Sequence, residues 1–205
     1  MDQQTVNYYA NNASDVSQRY ESITSGLAPH FGRAFAPGSR ILDIGCGSGR
    51  DMAYLSKLGC QVFGMDATSE LVGLAQKLHP ELCGRITLGA LPDAAIPFDG
   101  HFDGILCSAV LMHIPVEDQQ ATALFIKECL KPGGRLLYSI PSQRSDVIGA
   151  SQRDTAGRLF ISNGQAQLQK FFEATGFHLI DQWSNDDSLG RDGITWLSVL
   201  MQLGY

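Results

Sequence analysis

Arg40-Ile41-Leu42-Asp43-Ile44-Gly45-Cys46-Gly47-Ser48-Gly49-Arg50-Asp51 is the stretch whose reading decides the fold. The apolar run Ile41, Leu42, Ile44 predicts a strand buried on both faces, as in a parallel sheet. The glycines that follow let the backbone turn tightly and let a ligand approach closely. A helical pattern begins at once after them. Strand, glycine loop and helix together place a nucleotide-type ligand at the carboxyl end of a sheet.

The residues around the glycines narrow that ligand. A dinucleotide fingerprint, Gly-x-Gly-x-x-Gly, needs its third glycine where this chain carries Arg50. Asp43 stands at the strand's end, where its charge repels a pyrophosphate and attracts a cation. No Gly-Lys-Ser or Gly-Lys-Thr follows, so the phosphate-loop reading fails as well. A second marker is Asp66 in Phe63-Gly64-Met65-Asp66, at the predicted end of the next strand. A carboxylate there can accept both hydrogen bonds of a ribose diol, and Gly64 beside it suits close backbone approach.

Outward from this centre the chain alternates. Helices are predicted over 5–20, 21–31, 50–58 and from Thr68 or Ser69 to Pro80. A further helix begins near Pro115 with Ala121, Leu124, Phe125 and Cys129 facing the core, and Lys131-Pro132-Gly133-Gly134 ends it. Strands are predicted over 40–44, 61–65, 85–88, 102–108 and 135–140, parallel with right-handed crossovers. Ser162 with Gln165 reads as a capping box for a last helix. Strands over 177–183 and 194–203 are separated by too few residues for a crossover, so they form an antiparallel pair.

Composition sets the frame. The 205 residues predict one domain with enough chain for a core. A net charge of −6 gives no basic footprint for nucleic acid or an anionic membrane. No apolar run is long enough to span a bilayer, and the first residues lack the pattern of a signal peptide. Five singly spaced cysteines argue for reduced thiols in a cytoplasmic protein, with no zinc pair and no disulfide framework.

Four motifs in register carry a family resemblance. Ile41 to Gly49, Gly64-Met65-Asp66, His101-Phe102-Asp103-Gly104-Ile105 with Leu111-Met112-His113-Ile114, and Leu130-Lys131-Pro132-Gly133-Gly134 resemble the class I S-adenosylmethionine (SAM)-dependent methyltransferases. The Gly49-Arg50-Asp51 continuation is similar to tellurite-resistance-type and other small-molecule members. The resemblance implies a Rossmann-like αβα sandwich: a seven-stranded, mostly parallel sheet with an antiparallel last strand. It implies one domain, divided into a helical cap (1–34), a SAM-binding core (35–140) and an acceptor side (141–205). It implies that Asp43, Gly45 and Gly47 hold the methionine end and Asp66 the ribose, with Cys46, Arg50, Asp51 and Ala67 completing that wall. One departure stands out: Ala90 occupies the place of the family's adenine-binding aspartate. Adenine is then expected to rest on Ala90 and Leu91, with Asp93 an outside candidate and Ser108 bordering the cofactor. The first helix is read either as a core helix or as a lid with Tyr8 or Tyr9 at its tip, and Tyr9 joins the cofactor set on the second reading.

Methyl transfer asks the protein chiefly to align donor and acceptor. His113 is the candidate general base, needed only where the nucleophile must lose a proton. Arg144, Arg153 and Arg158 cluster in an acidic chain, and Arg191 and Trp196 can join them. Such guanidinium groups match a small anionic acceptor, against the alternative of solvated arginines paired locally, such as Arg153 with Asp154. The expectation is a methyltransferase for a small molecule, using SAM and releasing S-adenosylhomocysteine. No metal, nucleic acid or membrane is expected, and the state is monomer or homodimer. The competing readings are a non-catalytic SAM-binding subunit of a modification complex and a nicotinamide-dependent reductase.

Overall fold

In the computed structural model, which describes residues 1–147, 151–161 and 164–205, the apolar run becomes the middle of a seven-stranded sheet. Its strands are β1 (Arg40–Ile44), β2 (Gln61–Asp66), β3 (Ile86–Leu88), β4 (Phe102–Ser108), β5 (Leu130–Arg144), β6 (Phe177–Asp186) and β7 (Ile194–Leu203). Their spatial order is β3-β2-β1-β4-β5-β7-β6. The first five pair in parallel, and β7 runs antiparallel between β5 and β6. The chain builds outward in one direction from β1 and in the other from β4. A crevice therefore opens between those two strands at their carboxyl ends, which is where the glycine loop lies.

Adjacent strand residues point to opposite faces, yet Ile41 and Leu42 are both 0% exposed. Each therefore needs its own layer of helices. Ile41 packs in a core with Phe31 and Ala34 of α3 (Phe31–Ala34), Met52 and Leu55 of α4 (Arg50–Lys57), and Ala75 of α5 (Ser69–Leu78). Leu42 packs with Phe125 and Ile126 of α6 (Gln119–Cys129) and Leu168 and Phe172 of α7 (Gln165–Ala174). Burying each of the large apolar side chains among them stabilises the fold by about 1.5–3 kcal/mol. Two further helices, α1 (Gln3–Asn11) and α2 (Ala13–Glu21), precede this sandwich.

Several expectations need correction. The single helix over 5–20 is two, broken at Asn12. The Asn12 side chain donates to the Tyr8 carbonyl (2.8 Å), a local bond that competes with helix continuation. The stretch 21–31 is largely a loop that ends in a tight turn at Ala28–His30. Pro29 has no N–H to give, and Ser25 Oγ takes the Leu27 N–H instead. On α6 the buried stripe is Thr122, Ala123, Phe125, Ile126 and Cys129, whereas Ala121 and Leu124 face solvent. The helix begins at Gln119, and packing of the Phe125–Ile126 pair sets its rotation. Lys131 to Gly134 belongs to β5 rather than to a helix end, since Leu130 already pairs with Phe102. The Ser162 cap lies outside the described residues. Thr68 precedes α5 without capping it, because its hydroxyl goes to Asp66 (2.9 Å). Among the described residues no helix is long and apolar enough to cross a membrane.

Candidate active site

The glycine loop is built to turn its donors inward. Gly45 has φ +71°, and a Cβ there would lie 2.3 Å from Val110 Cγ2, so no side chain fits. Val110 reaches that spot because Ala109, just past β4, takes φ 58° and fixes its N–H on Ser139 Oγ (3.1 Å). The N–H groups of Gly45 and Cys46 both donate to the Met65 carbonyl (2.7 and 3.2 Å). That of Gly47 donates to Asp66 Oδ2 (2.9 Å), and that of Gly49 to the Cys46 carbonyl (3.0 Å). Four loop donors are thus spent within the protein, which leaves a poor cradle for a phosphate.

Acceptors are the reverse. Asp43 is 2% exposed, and its Oδ1 has no hydrogen-bond partner. Burial, with Asp51 adding repulsion, pushes its pKa well above the usual carboxylate range. Burial raises Asp66 too, against the hydrogen bonds it accepts from Thr68 and Gly47. Arg50 donates to Asp51 Oδ1 (2.9 Å) and to the Tyr20 and Ile23 carbonyls (3.1 and 3.4 Å). It latches the end of α2 onto the loop where a dinucleotide site would have glycine. A buried, unpartnered carboxylate beside a second one suits a ligand that brings a cation and a diol.

A cavity of about 200 Å³ opens from this loop. Asp43, Gly45, Cys46, Gly47, Arg50, Asp51, Asp66, Ala67, Leu91, Ser108, Tyr9, His113, Arg144, Arg158, Arg191 and Trp196 all line it. Ala90 does not: Gly89 and Leu91 form the wall there, and the Ala90 carbonyl is taken by Ala94 N–H (3.0 Å) within a turn. Asp93 is not part of the wall either. Gly64 is bare for another reason than ligand approach, since a Cβ would meet Met52 Sδ at 2.5 Å and Cys46 Sγ at 2.9 Å.

The far end of the cavity holds the arginines, each with an aspartate. Arg144 donates Nε to Asp146 (2.8 Å) and lays its guanidinium 3.6 Å over the Phe160 ring. Arg158 donates Nε and Nη2 to Asp154 Oδ2 (2.9 and 2.6 Å). Arg191 donates Nε and Nη2 to Asp187 (2.9 and 2.7 Å), and Trp196 Nε1 donates to the same carboxylate (2.9 Å). Burial alone would raise Asp187, but Arg191 and Trp196 hold it well below the usual range. Arg153 pairs with Asp2 (2.7 and 2.9 Å) rather than with Asp154, and it lies off the cavity wall. His113, 3% exposed, sets Nδ1 against the Leu159 carbonyl and Nε2 3.3 Å from the Tyr9 hydroxyl. Burial draws its pKa down to about 4.

Sequence reasoning missed part of the wall. Tyr20 of α2 borders the cavity beside Gly47, and no local sequence signal marks it. The β6–β7 loop contributes Asp187, Ser188 and Leu189. Asp187 and Arg191, four residues apart on that loop, were the available signal. Among the described residues no group of three or more His, Cys, Asp or Glu side chains is placed to hold a metal ion.

Comparison with known proteins follows the same lines. Residues 14–182 match the family profile described as a methyltransferase domain. The ubiquinone biosynthesis O-methyltransferase of Xanthomonas campestris pv. campestris (strain B100) is 35% identical over 109 residues, 52% of this chain and 45% of that protein. Its counterpart in Xanthomonas axonopodis pv. citri is 34% identical over 124 residues, 59% of this chain and 48% of that one. The chain spans about half the length of the curated relatives it matches. Among solved structures, the TehB-like SAM-dependent methyltransferase of Corynebacterium glutamicum shares the fold with a TM-score of 0.69 at 21% identity, covering 95% of this chain and 99% of that one.

Proposed function

We propose that this chain, which belongs to the methyltransferase domain family and is a class I SAM-dependent enzyme, transfers a methyl group to a small-molecule acceptor bound at the arginine end of its cavity. The observation that carries the reading is the buried, unpartnered Oδ1 of Asp43 beside Asp66, in a loop whose own N–H groups are already bonded. SAM brings a methyl carbon already activated by a sulfonium, so the chemistry is in-line displacement. The protein's part is to hold the two reactants in line, which alone can contribute several kcal/mol.

In this reading Asp43 takes the ammonium of the methionine end and Asp66 the ribose diol. Gly45, Cys46, Gly47 and Ala67 supply the close backbone wall, and Leu91 and Ser108 border the base and the methionine. Arg50 and Asp51 act together, as the latch on α2 and the ion pair behind the loop. Residues 1–34 act as the cap, 35–140 as the donor core and 141–205 as the acceptor side. The acceptor end carries guanidinium groups that already hold aspartates, so an anionic acceptor gains little from them. The curated relatives are named as O-methyltransferases, which favours an oxygen nucleophile.

Titration calorimetry tests the donor half directly. SAM and S-adenosylhomocysteine should bind and NADH should not. Tight NADH binding without SAM binding would end the reading in favour of a reductase. Release of S-adenosylhomocysteine from SAM in a metabolite extract distinguishes an enzyme from a binding subunit.

A further inference from the structure

Hydrogen bonds at the acceptor end admit only one set of donors. Arg153 holds the Asp2 carboxyl well below the usual range, so Asp2 is ionised and the Thr5 hydroxyl must donate to it (2.8 Å). Thr5 Oγ1 in turn accepts from the Leu159 N–H (2.9 Å). The Leu159 carbonyl can only accept, so His113 Nδ1 carries the proton it meets. The groups facing His113 are Tyr9 of α1, Arg144 of β5, and Asp154 and Arg158 of the segment before α7. Burial, with the Arg158 and Arg144 charges, keeps the ring neutral against the opposing pull of the Leu159 carbonyl and Asp154, and its Nε2 is bare. Tyr9, one helical turn after Thr5 on the same face of α1, must then turn its hydrogen to that nitrogen (3.3 Å). Arg158 Nη1 donates to the same phenol oxygen from 3.4 Å.

The Tyr9 oxygen therefore lines the cavity with its own hydrogen turned away; Tyr20 also faces it, so a ligand hydroxyl would take the place of the long Arg158 contact. Around it Arg144, Arg158 and Arg191 are each neutralised by an aspartate. A carboxylate ligand would have to compete with those aspartates, whereas a neutral molecule breaks no ion pair.

We propose that Tyr9 is the catalytic residue that receives the hydrogen of the acceptor's nucleophile, that His113 and Arg158 are positioning residues acting through it, and that the acceptor is an uncharged hydroxyl compound. This rests on the methyltransferase reading above. As the acceptor oxygen bonds the methyl carbon, the sulfur–carbon electron pair returns to sulfur. The acceptor's proton passes to Tyr9 Oη, and the Tyr9 proton passes to His113 Nε2. An oxygen that has gained a methyl and still holds its proton is a far stronger acid than imidazolium, so a ring of lowered basicity still takes it. The imidazolium then returns its proton to Tyr9 Oη, and Tyr9 releases the proton it took from the acceptor into the open cavity as the methylated product leaves.

Two measurements test this. Nitrogen-15 imidazole spectra of the folded protein should show His113 protonated at Nδ1 and bare at Nε2, and a protonated Nε2 at neutral pH overturns the proposal. Calorimetry on the protein loaded with S-adenosylhomocysteine then compares catechol, a neutral diol, with benzoate. Catechol should bind at least ~10-fold more tightly than benzoate, and Tyr9→Phe should cost catechol ~10-fold. His113→Asn keeps a donor for the Leu159 carbonyl but cannot reach Tyr9. It should match the Tyr9→Phe loss, and the double variant should lose no more than either alone. Equal binding of benzoate, no binding of catechol, an unchanged Tyr9→Phe variant or additive losses each overturn it. Failure of S-adenosylhomocysteine itself to bind sinks the donor reading instead, and the imidazole spectra still judge the Tyr9 hydrogen-bond direction.

Discussion

Where Asp43, Asp51 and Asp66 gather at the glycine-loop end of the cavity with Arg50 bonded to Asp51, the arginines at the other end each hold an aspartate of their own. The first end is short of positive charge and has a buried oxygen without a partner. The second is balanced before any ligand arrives. The difference teaches where charge is left to recognise: on the proposed reading the glycine-loop end selects a cation, and the arginine end selects shape and hydrogen-bond direction.

The strongest way to break this comparison is pH, because the two ends shift stability in opposite senses. His113 binds its proton less readily folded, at about 4, than unfolded, at about 6.5. Its stabilising contribution is therefore complete above pH ~6.5 and is lost as pH falls toward ~4, at most on the order of 3 kcal/mol. Asp43 has a raised folded pKa, so the folded state binds its proton more readily and stability is regained as pH falls. His113→Asn should flatten the acid limb of a thermal-melt profile, and Asp43→Asn should steepen it. A steeper limb for His113→Asn would refute the assignment.

Next in size is ligand affinity. Asp43→Asn should weaken SAM and S-adenosylhomocysteine ~10- to 100-fold by calorimetry while leaving the melting temperature no lower. An unchanged affinity would mean the orphaned oxygen does not meet the ammonium. Asp187→Ala sharpens the contrast from the other side. Freed from its partner, Arg191 should raise benzoate affinity ~10-fold, turning a balanced end into an anion site, and no gain would mean that pairing is not what excludes anions. The smallest effect is expected at Arg153→Ala. Its pair with Asp2 is partly exposed, so chemical denaturation should show a loss under ~1 kcal/mol and calorimetry no change in SAM binding.

The same contrast explains what the sequence disclosed. Asp43, Gly45, Cys46, Gly47, Arg50 and Asp51 come from one continuous strand, loop and helix, and their places follow from the strand period and the glycine turn. Strand bounds at 102–108 and 194–203 and the antiparallel final pair followed from apolar runs and the length of the intervening connection. Much of the acceptor end is assembled from segments far apart in the chain. Nothing local in Arg153 says that its partner is Asp2, or in His113 that Leu159 and Tyr9 will flank its ring. The arginines were visible as a cluster, but their neutralisation is a tertiary fact. Ala121 and Leu124 misled because a short helix carries two nearly equivalent apolar stripes, and only packing against the sheet selects one.

Strand β7 lies between β5 and β6, although it is made after both. A chain still emerging from the ribosome and stopped short of Ile194 leaves the 15-residue β5 with an open edge and gives β6 no strand to join. Two of the sheet's seven strands, β7 and β6, thus wait on β7. During that interval the unpaired edge of β5 is open to pairing with other chains, and β7 closes it.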